Sequence, residues 1–117
     1  RDQVLYVSNA GGKRADAMSQ VLEERAVEMG YALVRPEILS WLDQASLFAS
    51  ANRIIAPHGG ALANLIFCRP GTEIIELMNR GYVNPYFEVL SRNLGLDYER
   101  RWTPRRESFG DLDHTLL

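Results

Sequence analysis

Cysteine is almost missing from this chain of 117 residues, where Cys68 stands alone in the run Leu65-Ile66-Phe67-Cys68. One thiol closes no internal disulfide and builds no multi-cysteine metal site, which fits a reducing compartment. In that apolar setting Cys68 reads as a small buried hydrophobe. Long hydrophobic runs are missing too: nothing approaches the ~20 apolar residues of a membrane span, and no basic-then-apolar start marks a signal peptide. Charge of one sign is not in excess, since the formal net charge is only −2. No global field draws the domain to nucleic acid or anionic lipid, so any anion site must be local. Repeats, low-complexity tracts and long linkers do not occur. What is present, 46% hydrophobic and 24% charged residues, suits one ordinary domain with its own core over residues 1–117. The start Arg1-Asp2-Gln3-Val4 has no initiator methionine and enters a strand almost at once, so we expect a piece of a longer protein.

Short apolar runs alternate with helical patterns. Val4 to Val7 reads as a strand, followed by a loop from Ser8 to Arg14 that contains Gly11-Gly12. Ala15, Met18, Leu22, Ala26 and Met29 then recur at helical spacing up to Gly30, a left-handed helix terminator. Tyr31 to Arg35 reads as a second strand broken by Pro36, and Ser40 with Asp43 opens a helix to about Ala51. Arg53 to Ala56 is a third strand, residues 59–68 a helix, and Glu73 to Met78 a nearly all-apolar fourth strand. Asn84-Pro85 caps a helix ending at Gly95, before a last strand near Leu96 to Arg101. Five strands and four helices in this alternation predict an α/β fold, a Rossmann-like three-layer α/β/α sandwich with a mostly parallel sheet.

In such a sheet ligands sit outside the carboxyl ends of the strands. His58-Gly59-Gly60 is at such an end. A helix starting there offers backbone N–H groups without helical partners, and glycines let an anion approach closely. Equally, the glycines make a tight turn and His58 packs or caps. The stretch is neither G-x-G-x-x-G nor, at Gly11-Gly12-Lys13-Arg14, a P-loop. Lys13 and Arg14 nonetheless lie at a strand's carboxyl end, as a second phosphate contact or a solvated turn.

His58-Gly59-Gly60-Ala61-Leu62-Ala63-Asn64-Leu65-Ile66-Phe67, with Pro70-Gly71-Thr72 and Ile74-Ile75-Glu76-Leu77, closely resembles the signature of glycosyltransferase family 61. Pro36-Glu37-Ile38-Leu39-Ser40 and the 44–51 segment resemble the same family upstream, and the likeness runs over about residues 3–101. It departs at Gly60, where the family usually has alanine, and at Asn9, where an arginine is common; the family's Asn-Glu pair is not evident in 15–20. The resemblance implies the C-terminal, donor-binding half of a GT-B glycosyltransferase, with the rest of the site on a missing N-terminal domain. It further implies a hexosyl- or pentosyltransferase that acts on a nucleoside-diphosphate sugar, UDP-linked by expectation, and a glycan acceptor. No tightly bound cofactor or metal is expected. The isolated piece is expected to be inactive. The near absence of cysteine favours a bacterial cytoplasmic member, working at the inner face of the membrane in capsular polysaccharide synthesis.

On this reading His58 meets a phosphate oxygen and the amides of Gly59, Gly60 and Ala61 hold the diphosphate, with Arg14 as a further contact. Glu76, near the end of the fourth strand, accepts the ribose hydroxyls or pairs with Arg80 or another cation. Asn64 fixes the turn through backbone hydrogen bonds, and Arg80 with the 81–84 loop covers the sugar or diphosphate or is plain surface. Asp111-Leu112-Asp113 has the letters of a D-x-D metal motif but no preceding strand, so Asp111 reads as a cap of a short terminal helix; His114 is no better a ligand. Arg100-Arg101-Trp102 and Arg105-Arg106 form a basic tail. Two other classes stay open: a non-catalytic nucleotide- or anion-binding module, and, without a nucleophile elbow, a hydrolase using His58.

Overall fold

The computed structural model describes residues 3–8, 17–81, 83–103 and 116–117. Along the chain run β1 (Val4–Val7), α1 (Ala17–Glu28), β2 (Ala32–Val34), a 3-10 turn (Pro36–Ile38), α2 (Trp41–Ser50), β3 (Arg53–Pro57), a 3-10 helix (Gly60–Phe67), β4 (Glu73–Met78), α3 (Tyr86–Asn93) and β5 (Asp97–Trp102). The five strands form one sheet in the order β2-β1-β3-β4-β5, every neighbouring pair parallel. Strand order therefore reverses between β1 and β3, and the ends of those strands border the crevice where such sheets take ligands.

Successive residues of each strand face opposite sides of the sheet, so each strand feeds two cores. Leu5, Val7, Ile54, Ala56 and Ile74 pack with Phe48 of α2, Leu62 and Leu65 of the 3-10 helix and Phe87 of α3. On the other face Tyr6, Ile55, Ile75 and Leu77 pack with Met18, Leu22 and Ala26 of α1 and with Leu117. Residues 104–115, with Arg105, Arg106, Asp111, Asp113 and His114, lie outside the described residues, as do residues 9–16, with Asn9, Lys13 and Arg14.

The predicted turn chemistry is present. Ser40 Oγ accepts the Asp43 N–H at 3.1 Å, and the chain leaves α1 and α3 through Gly30 (φ 84°) and Gly95 (φ 74°), left-handed positions that favour glycine. At α3 the cap differs in detail: Pro85 holds the N-cap position, while Asn84 Oδ1 accepts the Tyr86 N–H at 3.0 Å.

The segment after β3 departs from expectation. It is not an α-helix but an eight-residue 3-10 helix. Its burial repeats every three residues: Leu62 and Leu65 are buried, Ala63 and Ile66 exposed, Ala61, Asn64 and Phe67 between. A helix of three residues per turn stacks i and i+3 on one side, so Leu62 and Leu65 both face the core.

Candidate functional site

β3 and β4 pair so that Ala56 lies beside Glu76 and Pro57 beside Leu77. The His58 N–H donates to the Leu77 carbonyl at 3.0 Å, carrying the ladder one residue past β3 and fixing the histidine backbone. Its ring then reaches Glu76, with Nδ1 to Oε2 at 2.5 Å. From the far side the Tyr98 hydroxyl of β5 donates to Glu76 Oε1, also at 2.5 Å. Tyr98 arrives there because β4 and β5 pair Ile74 with Tyr98 and Glu76 with Arg100, on one face of the sheet. Glu76 is completely buried, at 0% exposure. A buried carboxylate is costly unless it is hydrogen-bonded, and His58 and Tyr98 each supply one bond. Burial, then the hydrogen bond to Glu76 and its charge, pushes the Tyr98 hydroxyl well above the ordinary phenol range, so it remains a donor.

The His58 ring lies 5.1 Å from Phe87 of α3, tilted by 56°, and Phe87 in turn meets Tyr86 edge-on. Beside this column Arg100 donates to Glu88 Oε1 at 3.0 Å while Arg92 takes Oε2 at 2.9 Å. The Arg92 guanidinium first, and Arg100 with it, holds the Glu88 carboxyl below its ordinary range. Two cations also flank one indole: the guanidinium carbon of Arg80 is 4.7 Å from the Trp102 ring centre and that of Arg100 5.6 Å. The carboxyl ends of β3, β4 and β5 thus carry a histidine backed by a buried acid, with an aromatic and cationic flank.

The other expected residues fall as follows. The first 3-10 hydrogen bond runs from Leu62 N–H to Gly59 carbonyl at 3.0 Å, so the amides of Gly59, Gly60 and Ala61 precede the ladder beside His58. Glu76 pairs with His58 rather than Arg80; a ribose would reach it only by displacing Tyr98 or His58. Asn64 bonds a side chain, not backbone: its Nδ2 donates to Gln44 Oε1 at 2.7 Å, and Gln44 Nε2 donates to the carbonyls of Pro36 and Leu39 at 3.1 and 3.3 Å. Arg80 is exposed on the turn after β4, against Trp102. Cys68 is half-buried, and burial pushes its thiol up to about 12.

Sequence reasoning missed Tyr98, whose role depends on the β4–β5 register. The signal was the alternation Tyr98, Arg100, Trp102, three large polar-capable side chains sent to one face. It also missed Ser8-Glu23-Arg35, where Ser8 Oγ donates to Glu23 Oε2 at 2.6 Å and Arg35 pairs with Oε1 at 3.0 Å. That cluster ties the end of β1 to α1 and β2 on the opposite face. A groove of about 490 Å³ lined by Glu24, Val27 and Leu33 lies next to it, apart from His58.

An all-parallel sheet reversing between β1 and β3, with an acid-backed histidine at the end of β3, defines a doubly wound α/β domain with a polar cluster at its carboxyl edge. Comparison with known proteins narrows the class. Residues 2–75 match the model of the glycosyltransferase 61 family, and the chain belongs to that family. A 60-residue stretch is 32% identical to a beta-1,2-xylosyltransferase of Arabidopsis thaliana, covering 51% of this chain and 11% of that protein. This chain therefore corresponds to a small part of that relative. Among solved structures, the flavodoxin-like domain of a Synechococcus protein superposes with a TM-score of 0.57 at 18% identity, covering 95% of this chain and 90% of that one, a likeness of fold. Among the described residues no helix is long and apolar enough to cross a membrane.

Proposed function

We propose that this chain is the C-terminal, donor-binding domain of an inverting GT-B glycosyltransferase that moves a hexose or pentose from a nucleoside diphosphate to a glycan. The observation that carries the reading is the position of His58: in the family-matched block, at the carboxyl end of β3, next to the Gly59, Gly60 and Ala61 amides and backed by Glu76. In the transfer, the acceptor hydroxyl oxygen bonds to the anomeric carbon while the bond from that carbon to the β-phosphate oxygen breaks, its electron pair staying on the phosphate. Hydrogen-bond donors placed where that charge develops lower the barrier. His58 and the three amides are such donors, with Arg14 as a further diphosphate contact and Arg80 closing over the sugar side. The hydroxyl proton goes to a base on the accompanying N-terminal domain, so this chain alone binds donor without turning it over.

The donor is a UDP-sugar on this reading and the setting bacterial surface or capsular polysaccharide synthesis, in the cytoplasm at the inner face of the membrane. Titrating the chain with UDP and with uridine tests the site. His58→Ala should weaken UDP by about tenfold, the worth of one charge-assisted hydrogen bond, and leave uridine unchanged. Equal losses for both ligands would remove His58 from the diphosphate.

A further inference from the structure

The Glu76 carboxylate has two oxygens and both are committed, one to Tyr98 and one to His58, at 0% exposure. An ionised carboxylate only accepts, so Nδ1 of His58 must be the donor. A phosphate oxygen also only accepts. With the Nδ1 proton given to Glu76, the ring can donate to phosphate at Nε2 only as the imidazolium.

We infer that Tyr98 and Glu76 are positioning residues for phosphate capture: Tyr98 fixes the carboxylate, the carboxylate fixes Nδ1–H of His58, and phosphate is met at Nε2 by the charged ring, so that binding takes up a proton. This rests on the proposed role of His58. Glu76 faces the His58 ring from β4, Tyr98 and Arg100 stand behind from β5, and α3 presents Phe87, with the Glu88 charge met by Arg92 and Arg100.

The experiment is UDP and uridine affinity against pH in the wild type and variants, together with imidazole ¹⁵N spectra of His58 without ligand. In the wild type the neutral ring should carry its proton on Nδ1. Raising the pH removes the second ring proton, so UDP dissociation should rise until it meets that of His58→Ala, about tenfold weaker; His58→Ala itself reports the titration of UDP. Glu76→Gln gives the sharpest contrast. Its amide oxygen is held by the Tyr98 hydroxyl, so its NH2 faces Nδ1 and moves the ring proton to Nε2. The neutral ring then donates to phosphate: UDP is still preferred over uridine, and the proton uptake disappears. Glu76→Gln with Tyr98→Phe frees the amide to turn and should give a mixture of both ring forms. An Nε2–H ring in the wild type, an Nδ1–H ring in Glu76→Gln, or a double variant identical to Glu76→Gln would overturn the relay, and the wild-type spectrum decides even if a variant does not fold. By contrast, an unchanged UDP-to-uridine preference in His58→Ala overturns the diphosphate role of His58 while the ring spectra still judge the relay.

Discussion

Removing His58 should destabilise the domain chiefly through what it leaves behind. In His58→Ala the Glu76 carboxylate, at 0% exposure in the wild type, loses one of its two donors. Leaving a buried polar group short of a hydrogen-bond partner costs about 1–3 kcal/mol, and more when that group is charged. The charge on Glu76 raises the cost and the Tyr98 bond that remains limits it, to about 3 kcal/mol. For a chain of this size that lowers the melting temperature by roughly 12 °C. Glu76→Gln alone keeps both contacts as neutral hydrogen bonds and should cost only about 1 kcal/mol. In the double variant no charge is left buried, so its total should be about 2 kcal/mol, giving a coupling of about 2 kcal/mol. Urea denaturation of the wild type, both single variants and the double variant measures it. Single costs that simply add, within about 0.5 kcal/mol, would refute the claim that the penalty is a stranded charge.

The 3-10 winding predicts that Leu65→Ala, at 0% exposure, costs about 2–5 kcal/mol while the adjacent Ile66→Ala, at 58% exposure, stays within about 0.5 kcal/mol; similar losses in denaturation midpoint would contradict it. Gly71 has φ 90°, and a Cβ added there would meet no atom within 4 Å. Gly71→Ala should therefore cost about 1–2 kcal/mol from backbone strain alone, and a denaturation midpoint equal to that of the wild type would refute this. Because burial raises the Cys68 thiol to about 12, thiolate is scarce at pH 8. Alkylation of the native protein there should run on the order of a thousandfold slower than for a peptide thiol and speed up with each unit of pH toward that value; rapid labelling at pH 8 would disprove its shielding.

Much of the architecture was legible because strands and helices here follow their own periodicities. Glu73–Met78 announced itself as an apolar run between turn residues, and Gly30 and Gly95 ended helices as their φ values require. The winding of Gly60–Phe67 was not legible. Over eight residues a repeat of three and one of 3.6 fit the same apolar letters. The site was half legible: His58 and Glu76 could be placed at strand ends, but their pairing needs the β3–β4 register and the part of Tyr98 needs the β4–β5 register. Gln44, read only as a letter in a motif, proves to bind the 36–39 turn to Asn64, twenty residues along the chain.

The threefold repeat of the Gly60–Phe67 helix also sets what length changes this crossover tolerates. With three residues per turn, inserting or deleting a single residue rotates everything beyond it by about 120°. Downstream of such a change Ile66 or Asn64 would swing toward the sheet in place of Leu65, and Asn64 would lose Gln44. A change of three residues restores the face and alters only the reach, by about 6 Å. Length variation between His58 and the start of β4 is therefore expected in steps of three.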